Sequence, residues 1–338
     1  MRRRPRPDLS RNRPCREIGD RGNEAGPFDA RRDCGNKRRD GCARRSRRQT
    51  TRTTGIPVSD PDLDDAYDIE ASVPDLPAIQ ARYAEASAAL TGLDSAALDL
   101  AYGPDPRHRL DILAPPEGAR AAILYFHGGY WKGGAKEGRR FPGPAWNARG
   151  VAWVPVEYRL APAATVDEIV DDARRAVAWF HAHAADYGCD PAAIHVAGNS
   201  AGGHLTGMLA AERWQAERGL PEDVIASAAP VSGLFDLAPL RRTFANDWLA
   251  LDAAGARRNS PVHRPPRAGM PVVVAWGGEE PAAFRGQSES YAEVCRGAGA
   301  AVTAVECAGA DHFSIMADWA DPASALFAAL EGNVDGAA

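Results

Sequence analysis

Ser200 lies in Gly198-Asn199-Ser200-Ala201-Gly202, between an apolar run from Ala193 to Ala197 and a helix-like run from His204 to Ala211. A serine on a tight strand-to-helix turn is lifted clear of the sheet and can act as a nucleophile. The turn is strained, and glycines on either side remove the side-chain bulk that would block it. The amides after the serine open a helix whose N-terminus favours developing negative charge. A glycine-rich turn in any α/β protein would show the same pentapeptide, so the serine gains meaning only from its partners.

Upstream, Ala121 to Phe126 reads as a buried strand that runs into His127-Gly128-Gly129-Tyr130-Trp131. Two glycines after a strand let backbone N–H groups face a substrate oxygen. Gly128 and Gly129, with the amide of Ala201, are therefore expected to form an oxyanion hole. His127 reads as a structural hydrogen-bonding residue in that loop. A base is supplied by His312, which follows the late strand Ala301 to Glu306 in Gly309-Ala310-Asp311-His312-Phe313. It lies on a loop, where catalytic groups tend to sit, and it satisfies the chain order serine, acid, histidine. His181 and His183 are two apart on a helix and point to different faces, which argues against a metal pair. His108, His195, His204 and His263 read as packing or surface residues.

The acid is expected after the strand Met270 to Trp276, where Gly277-Gly278-Glu279-Glu280-Pro281 follows. A carboxylate there would fix the imidazole tautomer and stabilise the imidazolium. Spacing alone leaves Glu279 and Glu280 open, because adjacent side chains on an extended loop point in opposite directions. Asp236 is a third candidate, read in preference as a turn or capping residue.

From about Leu98 to Leu330 the chain resembles the α/β-hydrolase fold. Within it, the chain resembles the bacterial relatives of kynurenine formamidase (arylformamidase), in the broader hormone-sensitive-lipase-like group. The resemblance rests on His127-Gly128-Gly129-Tyr130-Trp131, Tyr158-Arg159-Leu160-Ala161-Pro162, Gly198-Asn199-Ser200-Ala201-Gly202-Gly203, Ser232-Gly233-Leu234-Phe235-Asp236-Leu237 and Asp311-His312-Phe313. It implies an acid at a fixed distance before an aromatic residue and a Gln-Ser pair. Phe284 and Gln287-Ser288 stand there, which selects Glu280 over Glu279; Pro281-Ala282-Ala283 departs from the family's usual sequence. Tyr130 replaces a glycine usual in the lipase branch and argues for the formamidase branch.

The resemblance implies a Ser200, Glu280, His312 triad that cleaves the N-formyl amide of N-formyl-L-kynurenine, with Tyr130 and Trp131 contacting the substrate. The alternatives are a carboxylesterase acting on short acyl esters, which the same triad would perform, and a non-catalytic binding protein that kept the fold. No cofactor and no metal are expected. The expected partner is a small molecule, an aryl formamide or short-chain ester, with no nucleic acid and no membrane; a homodimer is left open.

The elements that must position these residues are legible as well. Strands are predicted at Ala97–Tyr102, Arg109–Leu113, Ala121–Phe126 and Val151–Val156, and a helix from Val166 to Tyr187 with Ala173, Ala176, Val177 and Phe180 at helical period. Strand and helix then alternate, predicting a mostly parallel central sheet with helices on both faces. Leu76 to Leu90 reads as an amphipathic helix with Ile79, Tyr83, Ala86 and Leu90 on one side, a small N-terminal helical cap segment.

The chain has 338 residues and is 45% apolar, enough for one large α/β domain. Residues 1–54 stand apart with 18 Lys+Arg against 7 Asp+Glu, a balance of +11, so the net −5 of the whole chain leaves −16 for residues 55–338. Almost free of apolar residues, that segment is expected to be a basic disordered tail or a misassigned N-terminal extension, with residues 55–338 forming the catalytic domain. It has no apolar h-region, and no run of 18 apolar residues occurs anywhere, so neither a secretory signal nor a membrane span is expected. Six cysteines without a C-x-x-C or zinc spacing read as free thiols in a reducing, cytoplasmic setting. A chain beginning at Gly55 is therefore expected to keep the melting temperature and specific activity of the full chain, which thermal denaturation and an activity assay would check; aggregation or loss of activity would show that residues 1–54 pack on the body.

Overall fold

A computed structural model describes residues 60–92 and 96–336. The predicted tail and the boundary at residue 54 lie outside these residues, as do Cys15, Cys34 and Cys42. Eight strands form one sheet: β1 (Ala96–Ala101), β2 (Arg109–Leu113), β3 (Ala121–Phe126), β4 (Val151–Val156), β5 (Ile194–Asn199), β6 (Ser227–Val231), β7 (Pro271–Gly277) and β8 (Ala301–Cys307). Their order is β1-β2-β4-β3-β5-β6-β7-β8. β2 runs antiparallel to both β1 and β4, and every other pairing is parallel. This is the α/β-hydrolase fold expected from the sequence.

β3 shows why the middle of the sheet must be covered twice. Ala122, Leu124 and Phe126 point into one core, and Ala121, Ile123 and Tyr125 into the other. A strand with period 2 that is apolar on both sides is stable only between two layers of helices. On the first face lie the helices Val166–His183, Ala201–Ala210 and Ala282–Gly297, through Phe180, Leu205 and Tyr291; on the second lies Ala325–Gly336, through Phe327 and Leu330.

The helix Val166–His183 starts at a capping box, in which Thr165 and Glu168 satisfy each other's backbone amides. Ala173, Ala176, Val177 and Phe180 are buried, as their spacing predicts. The predicted extension to Tyr187 is instead a 3₁₀ turn over Ala184–Tyr187, ended by Gly188 at φ 71°. The cap helix spans Leu76–Ala88. Its inner side carries Ile79, Tyr83 and Ser87, while Ala86 is exposed. Ser87 turns inward because its Oγ accepts the Phe141 N–H, and that backbone group outweighs the methyl of Ala86. Among the described residues no helix is long and apolar enough to cross a membrane. Cys189, Cys295 and Cys307 are buried free thiols, and burial pushes them up to about 11, 11 and 12.

Two histidines belong to the core. His195 Nδ1 lies 2.6 Å from Ser227 Oγ, and its Nε2 has no partner. His204 Nδ1 accepts the Trp131 indole N–H at 3.3 Å, and its Nε2 faces the Asn259 carbonyl at 2.7 Å. Protonating His204 at Nδ1 would set two donors against each other. Burial pushes both imidazoles down to about 4, from an ordinary value of 6.5. Above that ordinary value folded and unfolded chains are alike neutral at these positions. Below it the unfolded chain takes up protons first, so stability falls with pH until the folded groups titrate near 4. Urea midpoints are expected to drop from pH 7 to pH 5, and the drop should be smaller in His204→Gln; an unchanged drop would remove His204 from the acid limb.

Candidate active site

The candidate site forms where β3, β5 and β7 end. Ser200 follows β5 with φ 57° and ψ −122°, a conformation L-residues rarely adopt. Such a position costs on the order of 1–3 kcal/mol and persists only where surroundings dictate it. Here they do: the Ser200 N–H donates to the Val231 carbonyl, and its own carbonyl accepts the His204 N–H. A Cβ on Gly202 would stand 1.8 Å from the Phe126 carbonyl oxygen, so the helix Ala201–Ala210 can approach β3 only through glycine. The Ala201 N–H is the first of that helix and has no intrahelical partner, which leaves it available to an oxygen beside Ser200.

The His127 to Trp131 loop lies opposite. Gly129 has φ 121°, and Tyr130 and Trp131 follow at 49° and 55°. The Gly129 carbonyl accepts the N–H groups of Lys132 and Gly133, and a Cβ on Gly129 would lie 2.4 Å from the Gly133 carbonyl. The Tyr158-to-Pro162 segment braces this loop from below: the Tyr158 hydroxyl donates to the His127 carbonyl at 2.6 Å, and the Ala161 N–H donates to the Trp131 carbonyl at 2.7 Å. His127 is fully buried, stacked on Tyr158, with Nε2 3.1 Å from Glu157. Burial pushes the Glu157 carboxyl up, and its contacts with His127 and Arg107 overcome that and hold it below the ordinary range. His127 thus has the structural role its sequence context predicts.

Glu280 and His312 meet behind the serine turn, with Glu280 Oε1 3.5 Å from His312 Nδ1. Oε1 also accepts the Gly277 N–H and the Ser232 hydroxyl. Ser232 itself stands at φ 50° at the end of β6. Glu280 is buried and Glu279 is exposed. Gln287 locks the neighbouring loop, its Oε1 accepting the N–H groups of Phe235 and Asp236 and its Nε2 donating to the Asp236 carbonyl and the Tyr67 hydroxyl. Asp236 serves as a turn residue, its Oδ1 accepting the Ala238 N–H. The histidine loop is tied by Asp311, whose carboxylate accepts the N–H groups of Phe313 and Ser314.

Gly128, Gly129, Tyr130, Asn199, Ser200 and His312 all border one cavity of about 560 Å³. Residues the sequence reading did not single out complete it: Asp68, Ile69 and Glu70 before the cap helix, Arg139, and Phe244 with Trp248. Tyr130, Phe244 and Trp248 form an aromatic wall, their ring centres 5.8 Å (Tyr130 to Phe244) and 6.4 Å (Tyr130 to Trp248) apart in edge-on contacts. Trp131 is not on the cavity. It is fully buried against His204, because two successive left-handed residues turn its side chain back into the core. Among the described residues no group of three or more His, Cys, Asp or Glu side chains is arranged to hold a metal ion.

A family profile described as the alpha/beta hydrolase fold matches residues 123–316. The chain belongs to the α/β-hydrolase fold family. It is 30% identical over 241 residues to a kynurenine formamidase of Salmo salar, covering 68% of this chain and 79% of that one. It is also 30% identical to the esterase LipQ of Mycobacterium tuberculosis, over 63% of this chain and 56% of the other. A solved structure described as a candidate thioesterase from Silicibacter sp. superposes with a TM-score of 0.70 at 31% identity, covering 79% of this chain and 98% of that one. The protein is a hydrolase of the formamidase and esterase kind.

The close approach at Gly202 yields a direct test. Gly202→Ala is expected to give insoluble protein or a melting temperature lowered by more than about 10 °C, because backbone and not a flexible side chain must yield. Gly286→Ala, in the helix Ala282–Gly297 with nothing near the added methyl, should leave stability equal or raised by about 0.5–1 kcal/mol. Differential scanning calorimetry of both variants checks the pair.

Proposed function

We propose that this protein is a serine hydrolase that cleaves the N-formyl amide of N-formyl-L-kynurenine to kynurenine and formate, a step of tryptophan catabolism. The observation that carries the reading is the Tyr130, Phe244, Trp248 wall on the same cavity as Ser200, His312, Gly128 and Gly129. Aromatic faces reward an aryl leaving group and narrow the space left for an acyl chain. Similarity to kynurenine formamidases along most of their length supports it.

In this mechanism Ser200 Oγ attacks the formyl carbon while His312 Nε2 takes its proton. Glu280, facing Nδ1, holds the ring and stabilises the imidazolium. The amides of Gly128, Gly129 and Ala201 receive the oxyanion. The imidazolium then returns the proton to the aryl nitrogen as the C–N bond breaks, leaving a formyl ester on Ser200. Water, activated by His312, releases formate and restores the serine. Protonation is the demanding step, because an arylamine leaves poorly as an anion.

A short-chain carboxylesterase is the second reading, favoured by the similarity to LipQ and by a triad that serves either substrate. Three buried thiols suit a reducing compartment, and the cytoplasm is the location proposed.

Ser200→Ala is expected to lower turnover by about 10⁴-fold or more with circular dichroism unchanged. Glu280→Gln should be far more damaging than Glu279→Gln, and the reverse ranking would reassign the acid. Formate release should give N-formylkynurenine a higher kcat/KM than any p-nitrophenyl ester, with ester activity falling steeply from acetate to butyrate. No formate release together with ready turnover of butyrate or longer esters would move the protein to the esterase reading.

A further inference from the structure

The short 3₁₀ helix Lys136–Arg139 and the residue after it hold three cations, Lys136, Arg139 and Arg140. Two are bound within the protein. Lys136 Nζ is 2.9 Å from Asp111 and 2.7 Å from Asp99, and Arg140 Nε is 2.7 Å from Asp111. Arg139 differs from both. Among the described residues no carboxylate pairs with it, its Nε is buried without a hydrogen-bond partner, and its guanidinium reaches only the carbonyl of Gly138, at 3.1 Å. Yet Arg139 is not loose, since its carbonyl accepts the Trp153 indole N–H at 2.7 Å. It borders the catalytic cavity beside Tyr83, Asn199 and Met316. Its charge acts on the Tyr83 phenol, which burial nonetheless pushes up to about 12.

We propose that Arg139 is the anion anchor of the cavity and binds a carboxylate carried by the substrate. This deepens the hydrolase reading above, in which the kynurenine portion of the substrate bears an α-carboxylate. A guanidinium is charged at all relevant pH and offers a planar fork of donors that matches a carboxylate. A buried N–H without a partner is costly, and an arriving carboxylate removes that cost only when bound. The other cation on the cavity, Lys132, is exposed and lies 4.0 Å over the Trp248 ring. Asp68 and Glu70 also border the cavity, but they are exposed, where solvent and salt screen their repulsion. Arg139 is thus the cation placed to select substrates that carry a carboxylate over those of the same shape that lack one.

The test compares N-formyl-L-kynurenine with its α-carboxamide in the unmutated protein, Arg139→Gln and Arg139→Lys. The ratio of kcat/KM, carboxylate over carboxamide, should fall about 10- to 100-fold in Arg139→Gln, chiefly through KM, and less in Arg139→Lys. A ratio shifted less than about threefold would overturn the proposal, as a purely structural role affects both substrates alike. Should Arg139→Gln fail to fold, salt gives the same answer in the unmutated protein. KM for the carboxylate should rise between about 0.02 and 0.5 M NaCl, while that for the carboxamide, left with only its α-ammonium, should stay level or fall, and equal rises would overturn it. If neither formamide releases formate, the formamidase reading fails separately. Arg139 is then tested by inhibition of p-nitrophenyl acetate hydrolysis with 4-phenylbutyrate against 4-phenylbutyramide. Stronger inhibition by the carboxylate, lost in Arg139→Gln, supports the anchor, and equal inhibition removes it.

Discussion

The backbone of Gly202 passes so close to the Phe126 carbonyl that no side chain fits between them. That approach joins the start of the helix Ala201–Ala210 to the end of β3. Two other features lie beside it: Ser200, two residues earlier, has φ 57°, and the His127 loop, which follows Phe126 directly, comes against the serine turn. A Cβ on Gly128 would stand 3.0 Å from Ser200 Cβ, so the two loops are in direct contact. The serine turn and the His127 loop therefore meet at one backbone contact, and the non-glycine residues with positive φ nearby are Ser200, Tyr130, Trp131 and Ser232, positions that persist only where the surroundings dictate them.

Tyr67 links the rest of the site to that contact. Its carbonyl accepts the Tyr130 hydroxyl, its own hydroxyl accepts from Gln287, and its ring packs 5.7 Å from Phe284. Tyr67, which ends the helix Pro61–Tyr67 ahead of the cap helix, thereby touches both the His127 loop and Gln287. Tyr83, inside the cap helix, donates to the carbonyls of Phe313 and Ser314, just after His312. The N-terminal segment is thus hydrogen-bonded on either side of the cavity, to the Tyr130 and Gln287 side chains and to the carbonyls of Phe313 and Ser314.

Much of this was legible in the chain because the fold demands special residues at fixed places. The glycines of the serine turn and of the His127 loop stand where backbones approach or turn left-handed, and such positions survive in the sequence as motifs. Strands were legible too, since β3 and β4 are apolar runs bounded by turns, and the limits of β2, β3 and β4 match the predicted ones. The choice of Glu280 needed more than periodicity. It came from resemblance to a family, and the structure puts that side chain, and not Glu279, against His312. What stayed hidden depends on long-range contacts. Nothing local says that Ser232 donates to Glu280, that Ser87 rather than Ala86 faces inward, or that Phe244, Trp248 and Arg139 share a cavity with Ser200. Trp131 misleads for the opposite reason: its neighbours form the motif, but its backbone conformation sends the ring into the core.

The cavity's chemistry is divided in a way that bears on the choice between amide and ester. Ester and amide alike need the nucleophile, its base and an oxyanion hole, but an activated ester such as a phenyl ester has a leaving group that departs without prior protonation. An aryl amide also needs the proton delivered to nitrogen at the right moment, which demands an imidazole that does not wander. His312 is confined by packing: Glu280 Oε1 lies 3.5 Å from Nδ1, which has no hydrogen-bond partner, Phe284 meets its ring edge-on at 4.9 Å, and the Asp311 carboxylate ties the following turn. Glu280 Oε1 itself accepts from the Ser232 hydroxyl and the Gly277 amide, which ties that carboxylate to the ends of β6 and β7. With Glu280 tied to the ends of two strands and an aromatic wall across the cavity, the arrangement suits the aryl amide proposed above, and the same residues would serve a small ester.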